Sequence, residues 1–347
     1  MNKNNLMNLT SIIILNYNGG KHLIECIESV FDTKDIPLEV ILIDNNSTDQ
    51  SQTKCKEKFP KLKLIQNNSN VGLSARNLGI KNANGEYIVF LDSDTIVNQN
   101  WLNILINSYI KNGDGLYQPK LIEKNNKKIV NSAGNMINIF GFGFSRGKGE
   151  NDIGQYEQFQ TISYTSGACT FSSSKIIKKI GEIDEIFFAY HDDLDYGWRG
   201  WNLGIPSNYE PKSIVYHLGS PTLKWSNQKF FYLERNRWIC LLSLYSTKTQ
   251  IKIFPFLIIL EMGVFFYLLS KGYGKSKLLS FGSLIKNWKK IQKRKKYISK
   301  MKINEDKKII KKFVNDYEIP TTIQDKKSQN IQKCIVKKFS KIARSII

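Results

Sequence analysis

The sequence predicts an α/β fold on a mostly parallel sheet, with a basic helical extension behind it. Three observations carry this. Short apolar runs of strand length alternate with segments whose apolar residues recur at helical spacing. The runs end in polar or Gly-rich turns. The formal net charge of +21 is unevenly placed: residues 271–347 hold 23 Lys/Arg against 5 Asp/Glu, which leaves +3 for residues 1–270.

Residues 11–15 read as a buried strand, closed by Asn16-Tyr17-Asn18-Gly19-Gly20. Leu23, Ile27, Val30 and Phe31 follow at helical spacing. Residues 38–43 read as a second strand. It runs into Asp44-Asn45-Asn46-Ser47-Thr48-Asp49, whose Ser, Thr and Asp suit a helix N-cap. Residues 62–65 form a third, followed by a polar loop over Asn67 to Asn70 and a helix from Ser74. Residues 87–91 form a fourth, ended by Asp92-Ser93-Asp94. Strand–helix alternation implies parallel pairing with right-handed crossovers. Ligands of such sheets bind beyond the carboxyl ends of the strands. Four polar clusters therefore converge on one rim. Neither G-x-G-x-x-G nor G-x-x-x-x-G-K-[ST] occurs at these turns, which weighs against dinucleotide and P-loop sites. Residues 131–165, with Phe140-Gly141-Phe142-Gly143-Phe144, read as loop and irregular strand.

Asp92 and Asp94 stand two apart at a strand end, so both carboxylates can face one cation. Oxygen ligands of this kind suit Mg²⁺ or Mn²⁺ beside substrate phosphates. Five scattered cysteines without a C-x-x-C spacing suit a reducing compartment and argue against a zinc or disulfide framework. The apolar run near the N-terminus is too short for a signal peptide.

Several motifs in order resemble glycosyltransferase family 2, the GT-A fold, and its rhamnosyltransferase-like branch. They are residues 11–18 (SIIILNYN), 44–49 (DNNSTD), 70–79 (NVGLSARNLG) and 85–94 (GEYIVFLDSD), then Tyr190-His191-Asp192-Asp193-Leu194-Asp195-Tyr196-Gly197-Trp198-Arg199 and Val215-Tyr216-His217. The resemblance covers roughly residues 10–240. It implies a Rossmann-like sheet flanked by helices over residues 1–245, and inverting, metal-dependent sugar transfer from a nucleotide diphosphate-sugar. The implied acceptor is lipid-linked or a polysaccharide. Rhamnose is one donor sugar it suggests; N-acetylhexosamine or another hexose is the alternative.

By the same resemblance, Asn16, Tyr17, Asp44, Arg76 and Asp92 bind the nucleotide sugar, with Asp44 on the base and Arg76 near base or phosphates. Asp92, Asp94 and His217 hold the divalent cation. Asp193 is the catalytic base. Asp192, Asp195, Trp198 and Arg199 lie on the acceptor side. The family's Glu-Asp pair here reads Asp192-Asp193, one methylene shorter at its first member. Read alone, His217 after an apolar strand equally suits a hydrogen-bonded core position, and Asp193 equally suits a helix N-cap. Glu234-Arg235-Asn236-Arg237-Trp238 approximates the Q-x-x-R-W signature of processive synthases, but Glu replaces Gln, so a structural helix and single-sugar transfer are expected.

Residues 246–347 read as a basic, membrane-associated helical tail. The apolar run 253–269 is interrupted by Glu261 and flanked by lysines on both sides. Charge at mid-bilayer is costly. A helix on the inner face of the cell membrane, against anionic lipid, fits better than a span, and a core helix is the alternative. Cytoplasmic, peripheral placement follows. A non-catalytic polybasic membrane protein on a relic fold is the competing class. Nucleic acid is not an expected partner, since the charge lacks interleaved aromatics or a recognition motif.

Overall fold

The computed structural model describes residues 9–219, 226–317 and 326–347. The chain divides into two compact units. One comprises Met1–Gly134, Ser145–Gly197 and Ile205–Pro221; the other comprises Asn135–Phe144, Trp198–Gly204 and Thr222–Ile347.

The first half of the chain runs β1 (Thr10–Asn16), α1 (Gly20–Phe31), β2 (Leu38–Asp44), α2 (Ser51–Lys58), β3 (Lys63–Gln66), a 3-10 turn at Gly72–Ala75, α3 (Arg76–Asn82), β4 (Tyr87–Asp92), β5 (Thr95–Val97), α4 (Trp101–Asn112) and β6 (Leu116–Glu123). Short strands follow: β7 (Val130–Ser132), β8 (Asn135–Ile137), β9 (Gly143–Ser145) and β10 (Gln160–Ile162). Then come β11 (Cys169–Ser173), α5 (Ser174–Ile180), α6 (Asp192–Asn202) and β12 (Ser207–His217).

The sheet order is β10-β12-β6-β11-β4-β1-β2-β3, with β5 on β12 and β7 on β6. Strands β4, β1, β2 and β3 pair in parallel, as the strand–helix alternation predicts. The expected mixed α/β architecture with flanking helices is present. Strand β11 enters antiparallel between β4 and β6, a position that local periodicity does not reveal. Ile12, Ile13 and Ile14 are all fully buried, so β1 is covered on both faces and reads as a continuous apolar run. Leu23, Cys26, Ile27 and Val30 of α1 bury the helical stripe seen in the sequence. The parallel register aligns Asn16 with Asp44 and Leu15 with Asp92, so the polar ends of β1, β2 and β4 meet on one rim.

The second unit is largely helical: α7 (Asn227–Leu244), α8 (Thr247–Ser270), α9 (Gly274–Lys286), α10 (Trp288–Met301), α11 (Asp306–Ile310) and α12 (Lys326–Ile346). The Glu234–Trp238 segment is helical, as expected, and Arg237 Nη2 donates to Glu234 Oε2 at 2.9 Å. Arg237 and Lys277 both pair with Glu234 and with Glu261. These two cations and two anions form a neutral, buried cluster joining α7, α8 and α9. Trp198 is fully buried, with its ring edge-on to Tyr245 and Phe313 at centroid distances of 4.7 and 4.8 Å. Thr247–Ser270 forms one helix, longer than the apolar run marks.

Candidate active site

The site lies in the first unit and is assembled from strand ends. Strand β5 pairs antiparallel with β12, which sets Thr95 opposite His217. Asp94 precedes β5 directly and Leu218 N–H donates to Asp94 O at 3.2 Å. His217 Nε2 consequently lies 3.3 Å from Asp94 Oδ1 and 3.9 Å from Asp92 Oδ2. One ligand atom from each of Asp92, Asp94 and His217 lies within 4.8 Å of the others. The three residues at the C-terminal ends of two distant strands are thus brought together.

The histidine's orientation is fixed from behind. Asn131 Nδ2 donates to Glu123 Oε1 at 2.8 Å, and a carboxylate can only accept. Asn131 Oδ1 is therefore the acceptor for His217 Nδ1–H at 3.1 Å. Nδ1 carries the proton and Nε2 is left to face the two aspartates. Neither Glu123 nor Asn131 was expected from sequence. Glu123 ends β6 and Asn131 sits in β7, and only the pairing of β6 with β7 and β12 brings them to His217.

Two carboxylates and an imidazole of fixed tautomer fit a hard divalent cation that takes further oxygens from water and phosphate. Without a cation, Nε2 can carry a second proton and pair with the two aspartates, and a bound cation would displace that proton. Burial pushes the Asp94 carboxyl up, but its hydrogen bond to His217 and that ring's charge outweigh burial and hold it below the usual range. Burial pushes His217 down, and Asp94 and Asp92 reverse this and raise it. Asp92 is raised, by burial first and by Asp94 as well, against Arg76 and His217.

Arg76 is almost completely buried. Its Nη2 donates to Asp92 Oδ1 and to Gly167 O (3.0 Å), and Nη1 lies 4.0 Å from Asp192 Oδ2. The expected base- or phosphate-side arginine stands inside the acidic cluster. Gly167, another residue not expected from sequence, also donates its N–H to Asp193 Oδ2 at 3.1 Å. One residue thereby links the arginine on Asp92 to Asp193.

Asp192 and Asp193 open α6, where a helix N-terminus favours negative charge. Tyr190 and His191 before them are both left-handed, at φ 65° and 62°. Consecutive left-handed residues that are not glycine are costly and mark a backbone held by its surroundings. Leu194 N–H donates to Asp193 Oδ1 at 2.8 Å, a contact between adjacent residues inside the first turn and not the bond of a helix N-cap, which accepts from two or three residues on. Burial, then the charge of Asp193, raises Asp192 to about 7, with Arg76 opposing. Burial also raises Asp193, against its two backbone hydrogen bonds. Asp195 is buried in the same first turn. Arg199 and Trp198 lie further along α6, beyond the first unit.

The residues that the sequence suggests for the donor side lie mostly at the ends of β1 and β2. Asp44 is buried and accepts from Asn16 Nδ2 at 2.8 Å and from Ser47 N–H at 3.0 Å. Asn16 also donates to Ser47 and Ser51 and accepts from Gly19 N–H, so its amide is engaged within the chain. Tyr17 is exposed. Asn45 ties this loop to the next, donating to Asn70 Oδ1 and Gly72 O and accepting from Asn67. Gly72 has φ +72°, and a Cβ there would meet Phe188 O at 2.0 Å, so only glycine permits that approach.

Residues 11–181 match the family described as Glycosyl transferase family 2. GlyG, a glycosyltransferase of Streptococcus pneumoniae serotype 4, is 37% identical over 101 residues, covering 28% of this chain and 34% of that protein. A pre-mycofactocin glycosyltransferase of Mycobacterium tuberculosis is 25% identical over 176 residues, covering 46% and 33%. The chain thus spans about a third of the length of these curated relatives. Among solved structures, GalNAc-T7 with UDP, GalNAc and Mn²⁺ superposes with a TM-score of 0.55 at 16% identity, over 68% of this chain and 48% of that one. That likeness is one of fold. Asp44, Asp92 and Asp94 lie within residues 11–181, the stretch that matches glycosyl transferase family 2, while Asp192, Asp193 and His217 lie beyond it.

Proposed function

We propose that this protein is an inverting, cation-dependent glycosyltransferase. It moves a sugar from a nucleoside diphosphate sugar to a lipid-linked or polysaccharide acceptor in cell-surface glycan synthesis. The observation that carries the reading is the position of Asp193, joined through Gly167 and Arg76 to the Asp92–Asp94–His217 cluster. Inverting transfer is a single displacement, so the attacking hydroxyl must lose its proton to one positioned base. Asp193 takes it at a carboxylate oxygen. Its burial raises its proton affinity toward that task. Asp92, Asp94 and His217 Nε2 would hold Mg²⁺ or Mn²⁺, which when bound neutralises charge on the departing diphosphate. Asp44 accepts from the base of the nucleotide, and Arg76 opposes the effect of burial on Asp92 and holds its carboxylate in place. Asp192 and Asp195 shape the acceptor side.

Rhamnose is the donor sugar suggested by the rhamnosyltransferase-like motifs; an N-acetylhexosamine or another hexose is the alternative. Residues 246–347 place the protein on the anionic inner face of the membrane, supported by the basic charge of that segment. A non-catalytic polybasic protein on a relic fold would have no need of Asp44, Asp92, Asp94 and Asp193 together, and all four are present. The test is a donor screen for release of UDP, dTDP or GDP with Mg²⁺ or Mn²⁺. Release with one donor class and not the others supports the reading. No release from any donor, in the presence of a range of acceptors, overturns it.

A further inference from the structure

We infer that α8 lies in the plane of an anionic lipid surface, with one face inserted, and does not cross the bilayer. This rests on the membrane-surface reading above and specifies how the second unit meets lipid.

The helix is 24 residues long and apolar enough to span. Its two faces differ. Ile253, Leu257, Leu260 and Leu268 are buried within the unit. Ile251, Phe254, Ile258, Ile259, Met262, Phe266 and Leu269 are 45–69% exposed and recur at three- and four-residue spacing. Such a stripe of large apolar side chains runs the full length of the helix. A core helix would be mostly covered, whereas only 22% of its most apolar stretch is buried. In α9, Leu278, Leu279 and Ile285 are likewise 54–78% exposed. A contiguous apolar face of this kind marks an interaction site.

Glu261 decides between lying and crossing. It pairs with Arg237 of α7 and with Lys277 of α9. A spanning α8 would have to carry this four-charge cluster and its neighbours into hydrocarbon, or leave Glu261 there unpaired; either is costly. Phe339 of α12 also packs on Phe256, so α8 is gripped along one side. Inserting the opposite face requires none of these contacts to break.

Charge selects lipid over a protein partner. From Met262 to Asn304 the chain carries twelve Lys/Arg and no Asp/Glu. Lys271, Lys275, Lys286, Lys289 and Lys290 are exposed beside the apolar residues. An apolar face bordered by cations alone suits anionic headgroups over acyl chains.

The experiment uses the full chain and phosphatidylcholine vesicles with or without phosphatidylglycerol. Co-sedimentation should require phosphatidylglycerol and fall roughly tenfold or more in an Ile258→Asp/Phe266→Asp variant. That variant should keep its far-ultraviolet circular dichroism. Next, Lys248→Cys and Ser270→Cys, placed at the two ends of α8 on a Cys334→Ser background, are treated with a membrane-impermeant maleimide outside sealed vesicles. Both should react from outside. No binding to anionic vesicles overturns the surface reading and this inference together. Binding that is lost at high salt but unaffected by the Asp pair leaves the surface reading standing and overturns insertion. Protection of one end only overturns the in-plane placement in favour of a span. Self-association abolished by the Asp pair, without vesicle binding, makes the face a contact between copies instead.

Discussion

Replacing Asp193 by Asn keeps the size of the side chain and removes the proposed base. Asp193 accepts two backbone hydrogen bonds, from Gly167 at 3.1 Å and Leu194 at 2.8 Å. An amide has one acceptor oxygen, so one N–H would face an NH₂ group. Losing a hydrogen bond to a charged acceptor costs about 1.5–3 kcal/mol of stability. Part of this is offset, because the substitution also removes repulsion with Asp192 and Asp92. The variant should therefore fold. Transfer should fall by a factor on the order of 10²–10⁴, about 3–5 kcal/mol in the barrier. The assay is acceptor-dependent release of nucleoside diphosphate, with donor and Mn²⁺ affinity measured by calorimetry. Those affinities should stay within a few-fold, because the proposal assigns them to Asp44, Asp92 and Asp94. Asp195→Asn, made alongside, should be milder. An active Asp193→Asn beside a dead Asp195→Asn would show that the base has been assigned to the wrong carboxylate.

Four further outcomes are expected. Asp94→Ala should lose Mn²⁺ binding and transfer while remaining folded; normal turnover in a chelator would remove the metal assignment. Asp44→Ala should weaken donor binding more than it slows the chemical step, which donor titration separates from kcat. Asn131→Leu frees the His217 tautomer and should weaken Mn²⁺ binding roughly 10–100-fold, read by electron paramagnetic resonance without any turnover; unchanged affinity would make the Glu123–Asn131 pair merely structural. In the second unit, burial pushes Glu234 up, but Arg237 and Lys277 hold it at about 2 against an ordinary 4.5. A lowered carboxylate stabilises fully above its unfolded value, so on the order of 3 kcal/mol should be lost as pH falls from 4.5 toward 2. Urea midpoints across that window should fall less steeply for Glu234→Gln.

The parallel half of the sheet was legible because its strands are buried on both faces and read as unbroken apolar runs. The rim acids were legible because they sit immediately after those runs, at Asp44, Asp92 and Asp94. Strand β11 was not, since residues 169–173 (CTFSS) carry no periodicity that fixes direction; its place depends on pairing with β4 and β6. Glu123, Asn131 and Gly167 stayed hidden for a related reason. Their roles arise from long-range pairing and from a backbone N–H, and residue type marks neither. Arg76 was visible as a charged residue on a helix start, but its direction toward Asp92 and Asp192 was not. In the tail, Glu261 was recognised as an interruption in an apolar run. Its partners on α7 and α9 could not be read from one helix alone, and they determine which face of α8 is left uncovered.

The most direct test of the central claim follows the anomeric proton of the transferred sugar by nuclear magnetic resonance, while a chelator and then Mn²⁺ are added to the reaction. The account predicts product of inverted configuration, formation that stops with the chelator, and recovery on Mn²⁺ addition. Product of retained configuration, or formation that continues at full rate in the chelator, would contradict it.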